Sequence, residues 1–245
     1  LFQHPRVEVH TDEARSFIRR TTDRYQVIDC PHTISNAALA SGSLSLAENH
    51  LMTREAFEDY LARLAPDGVL VITRPEAHLP RLFATARTVS AELDAPLADA
   101  VLAWRAPSAH TSFYAGFALR KGGFAAGEVQ RFAEVLAGRG LEALYLPGGT
   151  ARAPYPSLVR PDADLSGIRL PFAAILEPAT DDRPFFNQRV PFSRIGWDDL
   201  AGVFSQGHGG RMALEDRPVA EAALLVLLLE TVVMALVFIV LPLLV

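Results

Sequence analysis

Cysteine is all but missing. Cys30 is the only one in 245 residues, which excludes an internal disulfide and fits a reducing compartment. Histidine occurs seven times (His4, His10, His32, His50, His78, His110, His208), always singly. No pair stands at metal-ligand spacing, so no zinc or iron centre is expected. A formal charge of −5 supplies no basic stripe for nucleic acid, and no nucleic-acid partner is expected. The sequence begins with Leu1, shows no signal peptide and stops inside an apolar run, so it reads as a fragment of a longer protein.

Apolar residues are plentiful. They make up 50% of the chain, enough for one sizeable core. The organising stretch is residues 25–74. Tyr25-Gln26-Val27-Ile28-Asp29-Cys30 and Val69-Leu70-Val71-Ile72-Thr73 are short runs rich in β-branched residues, bounded by Pro31 and by Pro66-Asp67-Gly68. Both read as buried strands. Between them Thr53 can cap a helix with Phe57, Tyr60, Leu61 and Leu64 on one face and Glu55 in its first turn. A strand-helix-strand unit of this kind predicts a right-handed crossover between parallel strands. The connection over 31–52 lies beyond the carboxyl end of the first strand, where open α/β sheets bind their ligands.

Before this unit, the alternation over residues 6–11 predicts a strand, and residues 14–20 a short helix. After it, helices are predicted over 79–93 and 125–136, and strands over 100–104 and 141–146. Residues 111–119 alternate, with Phe113, Ala115, Phe117 and Leu119 on one face, and predict an antiparallel strand near an edge. The last 24 residues, 222–245, carry one charge, Glu230, and are long enough to span about 30 Å of hydrocarbon. Arg211 and Arg217 precede them, which predicts a cytoplasmic soluble part. The expected fold is therefore α/β: a partial doubly wound, Rossmann-like, mostly parallel sheet with an antiparallel edge strand, followed by a C-terminal transmembrane helix. The expected division is a sheet domain over 1–150, an irregular linker over 151–218 and the helix over 219–245.

Several segments together resemble the spermidine synthase family, which has the class I S-adenosylmethionine-dependent methyltransferase fold, and in particular its bacterial membrane-linked homologues. They are Asp12-Glu13-Ala14-Arg15-Ser16-Phe17, Tyr25-Gln26-Val27-Ile28, Ser41-Gly42, Leu46-Ala47-Glu48-Asn49, Glu55-Ala56-Phe57, Pro66-Asp67-Gly68 and Thr180-Asp181-Asp182-Arg183-Pro184-Phe185-Phe186. Order and spacing carry the likeness more than any one motif. It implies a location at the bacterial inner membrane, with membrane lipid as a partner. The ligands implied are S-adenosylmethionine or its decarboxylated form and a small amine acceptor. The glycine-rich turn that such a fold places after its first strand, and the acidic residue after the second that holds the ribose, are expected upstream of Leu1, so the resemblance implies a missing first half without which a nucleoside is not bound tightly.

The resemblance also implies site residues. Asp12 and Glu13 stand where the family has an acidic residue near the adenine, although the same residues can cap the helix that follows. Ser41, Glu48 and Asn49 belong to the implied substrate loop, where Glu48 and Asn49 either close over the substrate or tie the long loop down. The family's proton-accepting aspartate corresponds to about Ile34, which can take no proton, so aminopropyl transfer lacks its usual base; Asp29 is nearby but lies in the strand itself, and either substitutes for that base or bonds loop amides at the strand end. Two readings follow: a transferase using an S-adenosylmethionine derivative, or a non-catalytic binding or regulatory domain. A transporter role would rest only on Glu230. Asp181, Asp182 and Arg183 read as a local, solvated ion pair.

Overall fold

The computed structural model describes residues 4–31, 48–107, 114–168, 170, 175–188, 190–197 and 219–244. In chain order the elements are α1 (Ala14–Arg20), β1 (Tyr25–Cys30), α2 (Arg54–Arg63), β2 (Leu64–Pro75), α3 (Leu79–Thr88), α4 (Leu97–Ala100), β3 (Val101–Arg105), β4 (Tyr114–Arg120), α5 (Ala126–Gly138), β5 (Glu142–Tyr145), α6 (Tyr155–Leu158), α7 (Val219–Ala235) and α8 (Leu241–Leu244).

The organising unit forms, but β2 is longer than expected: it starts at Leu64, expected on the helix face, and takes in the Pro66-Asp67-Gly68 turn signal. β1 and β2 pair in parallel, with Val27 beside Val69 and Cys30 beside Ile72. Thr53 caps α2, its hydroxyl oxygen accepting the Ala56 N–H at 3.2 Å. Phe57, Tyr60 and Leu61 turn inward and are buried. The pairing register shifts between Tyr25 and Val27, opposite residues 64–69 of β2. Gly68 permits it, because a Cβ there would lie 2.6 Å from the Tyr25 carbonyl oxygen.

Beyond this unit the sheet departs from expectation. Its order is β1-β2-β4-β3-β5. Only β1 and β2 run parallel; the β2–β4, β4–β3 and β3–β5 pairs are antiparallel. The expected doubly wound, mostly parallel sheet is thus corrected to a mixed, mostly antiparallel one. The strand expected at an antiparallel edge, β4, occupies the centre, and its five middle residues are buried. Its alternation is large against small (Phe117 and Leu119 against Gly116 and Ala118) rather than apolar against polar, and such a strand can be enclosed on both faces. Residues 7–11 form no strand. Val7 and Val9 are exposed, and without a neighbouring strand an alternating pattern has no ladder to satisfy its backbone groups.

One face of the sheet carries the main core, where Phe83 of α3 is central. Its ring meets Phe117 at 5.3 Å, Tyr145 at 5.9 Å and Tyr155 at 5.0 Å. Tyr155, Leu158, Val159, Ala179 and Phe186, all from residues 151–218, are buried in this core. The second face is covered by α5 through Val129 and Leu136, packed with Leu102, Ala118 and Leu146. There Trp104 of β3 lies opposite Gly116 of β4 and meets Phe132 edge to face at 5.1 Å. A Cβ on Gly116 would sit 2.1 Å from the indole ring. Gly116→Ala is therefore expected to push Trp104 off Phe132 and to cost about 1–3 kcal/mol. The measurement is a lowered urea midpoint at unchanged slope.

The terminal apolar segment is also corrected. α7 has 17 residues, about 26 Å at 1.5 Å per residue, short of the roughly 30 Å of a bilayer core. A five-residue π-helical segment, 236–240, interrupts the α-helical ladder before the four residues of α8. Pro242 in α8 has no N–H to give the Phe238 carbonyl four residues back, which displaces the ladder where the π segment lies. Among the described residues no helix is long and apolar enough to cross a membrane. This overturns the expected transmembrane helix, and with it the inner-membrane location with a cytoplasmic domain.

Candidate functional site

The carboxyl end of β1, α1 and the start of α2 enclose a cavity of about 970 Å³. Asp29, Cys30 and Pro31 border it from the strand, Asp12 to Arg19 from α1 and the residues before it, and residues 48–52 from the approach to α2. The lining mixes apolar side chains, Phe17, Ile28 and Met52 among them, with five carboxylates and three guanidinium groups. Of the residues singled out from sequence, Asp12, Glu13, Asp29, Glu48 and Asn49 all border this one cavity. Ser41, like Ile34, lies outside the described residues.

The carboxylates differ in what they already do. Glu13 caps α1, accepting the Arg15 N–H at 2.9 Å and the Ser16 N–H at 2.7 Å. Burial works to raise its pKa, but these backbone bonds prevail and hold it below the ordinary value. Asp12 accepts the Glu13 N–H at 2.8 Å and pairs with Arg20. Both residues thus serve the helix start. Glu48 lies 3.4 Å from His50 Nε2. Asn49 fastens its own segment: its N–H donates to the Pro184 carbonyl at 2.7 Å, and its side chain accepts the Leu51 N–H at 3.2 Å. Asp29 enters none of these bonds and is exposed at the cavity.

Within the wall stands Arg15, which is buried. Its Nε donates to Asp59 at 2.8 Å, and Nη1 and Nη2 grip Asp181 at 2.5 and 2.9 Å. Nη1 also donates to the His50 carbonyl at 3.2 Å. Burial opposes the Arg15 charge, but the hydrogen bonds it donates to Asp181 and Asp59 more than offset this and raise its pKa. In return Arg15 holds the Asp181 carboxyl below its usual range. The partner of Asp181 is therefore Arg15, 166 positions away, and not the neighbouring Arg183. Sequence reading did not single out Arg15; its place two residues after a helix-capping Glu was the only local signal. At the cavity floor Tyr60 donates to the Leu51 carbonyl at 3.1 Å and shares a contact with the Cys30 thiol. Burial pushes that thiol up to about 11, so it remains protonated at neutral pH.

Among the described residues, no cluster of three or more His, Cys, Asp or Glu side chains could hold a metal ion. No family model matches the chain, and no curated protein matches it.

Proposed function

We propose that this cavity binds a small cationic ligand of nucleoside type, S-adenosylmethionine or its decarboxylated form, beside a small amine, in a domain of spermidine synthase type. The observation that carries the reading is the gathering of Asp12, Glu13, Asp29, Glu48 and Asn49 around one cavity at the carboxyl end of β1. That position is where α/β sheets bind ligands, and the volume lies within the usual range of small-molecule sites. The excess of carboxylates favours a cation, and the part-exposed Phe17 and Leu51 offer apolar area to a flat ring. With Asp12 and Glu13 engaged at the helix start, Asp29 is the carboxylate best placed to face the ligand's charge.

Turnover is the second question. Ile34 stands where the resemblance puts the proton acceptor, which favours a binding or regulatory module over an aminopropyl transferase. Isothermal titration of the full-length protein with both sulfonium compounds, followed by an assay with putrescine, separates the readings. Binding of the decarboxylated form is expected, and Asp29→Asn is expected to weaken it about 10- to 100-fold, as for the loss of a charged hydrogen bond. Binding without turnover assigns the regulatory module. Failure of both compounds to bind overturns the proposal.

A further inference from the structure

Two attachments of opposite character hold residues 175–188 against the rest of the chain. At one, the fully buried Phe186 ring lies between two guanidinium groups, 5.4 Å from Arg81 and 5.7 Å from Arg74. Arg81 donates to the Glu177 carbonyl at 2.8 Å and to the Phe185, Phe186 and Gln188 carbonyls at 2.9, 2.8 and 2.8 Å. This end is enclosed, apolar and rich in hydrogen bonds.

The other attachment is polar and half open. Residues 180–183 turn tightly, the Arg183 N–H donating to the Thr180 carbonyl at 3.0 Å, with Asp181 within the turn. The Asp181 side chain keeps 39% of its surface exposed. It accepts from Arg15 and, at 2.8 Å, from the Thr53 hydroxyl, while its own N–H donates to Glu55 at 3.0 Å. Single backbone bonds flank the turn, Arg54 N–H to Ala179 and Asn49 N–H to Pro184. The part-exposed carboxylate can take water in place of its partners, at a cost set by the buried Arg15 it leaves behind, whereas a buried aromatic ring has no such substitute. The weaker attachment is also the one that borders the cavity, because Asp181 lines it.

We propose that residues 180–183 are a latch at the rim of the cavity, which opens as a unit between the buried Ala179 and the fixed Phe186–Arg81 anchor and closes when Arg15 and Thr53 grip Asp181. The inference concerns access to the cavity and holds whatever ligand the cavity takes.

Cys30, the one thiol of the sequence, lines the cavity and is part-exposed with the latch closed. Its alkylation by iodoacetamide under native conditions therefore has a closed-form baseline, and opening is read as the rate above it. Asp181→Asn is expected to speed alkylation about tenfold or more, and Asp181→Glu to return it near the original rate. Asp162→Asn, which removes an exposed carboxylate paired with Arg160 at 2.9 Å, is expected to leave the rate unchanged. An unchanged rate in Asp181→Asn overturns the latch. So does a rise that merely matches that variant's loss of global stability in urea.

Discussion

Arg15→Ala is expected to lower the free energy of unfolding by about 3–5 kcal/mol, the range for removing one partner of a buried ion pair. The guanidinium is buried and stands between the Asp59 and Asp181 carboxylates. Its removal leaves two negative charges facing one another across the space it filled, and takes a donor from the His50 carbonyl. Water can reach part of the damage, since the Asp181 and Asp59 side chains are 39% and 25% exposed. The loss should therefore fall at the lower end, near about 3 kcal/mol. Arg15→Lys restores the charge without the planar fork that spans both carboxylates, so it should recover only part of the stability. Urea unfolding of the three proteins decides the matter. A loss below about 1 kcal/mol would place this pair with ordinary surface ion pairs.

That network also marks the limit of what the sequence discloses. The elements written in short-range pattern are legible: β1 and its proline stop, the Thr53 cap, the inward face of α2, and α5 ending at Gly138. Each depends on residues within one or two turns of one another. Strand order does not. β4 sits between β2 and β3 because Gly116 accepts the Trp104 indole and Ala118 packs beneath α5. Those residues are small rather than polar, and a pattern that counts only polarity takes them for a solvent face. The candidate site shows the same division. Asp12, Glu13, Asp29, Glu48 and Asn49 could be named because the resemblance implies them. Asp181 reaches the cavity from far down the chain, and nothing near it in sequence points to Arg15. The terminal apolar run misleads in another way. Composition reports its hydrophobicity but not its helical register, and Pro242 breaks that register.

Phe186→Ala should cost about as much as any single truncation in the core, roughly 3–5 kcal/mol. Phe186 is fully buried although it follows an irregular, charged stretch, and two guanidinium groups and the His78 ring surround it. Truncation to alanine removes the apolar contacts, opens a void, and takes away the π face that the two cations meet. Phe186→Leu separates these contributions. Leucine keeps most of the volume but offers no π face, so it should cost about 1–2 kcal/mol, the scale of desolvated cation–π contacts together with imperfect repacking. Equal losses in the two variants would mean that the ring's electrostatics, rather than its bulk, hold the segment. A negligible loss in the leucine variant would mean the reverse. In either case hydrogen exchange should rise at the Gln188 and Arg183 N–H groups while the centre of β2 stays protected, because the segment is anchored at this ring and β2 is not.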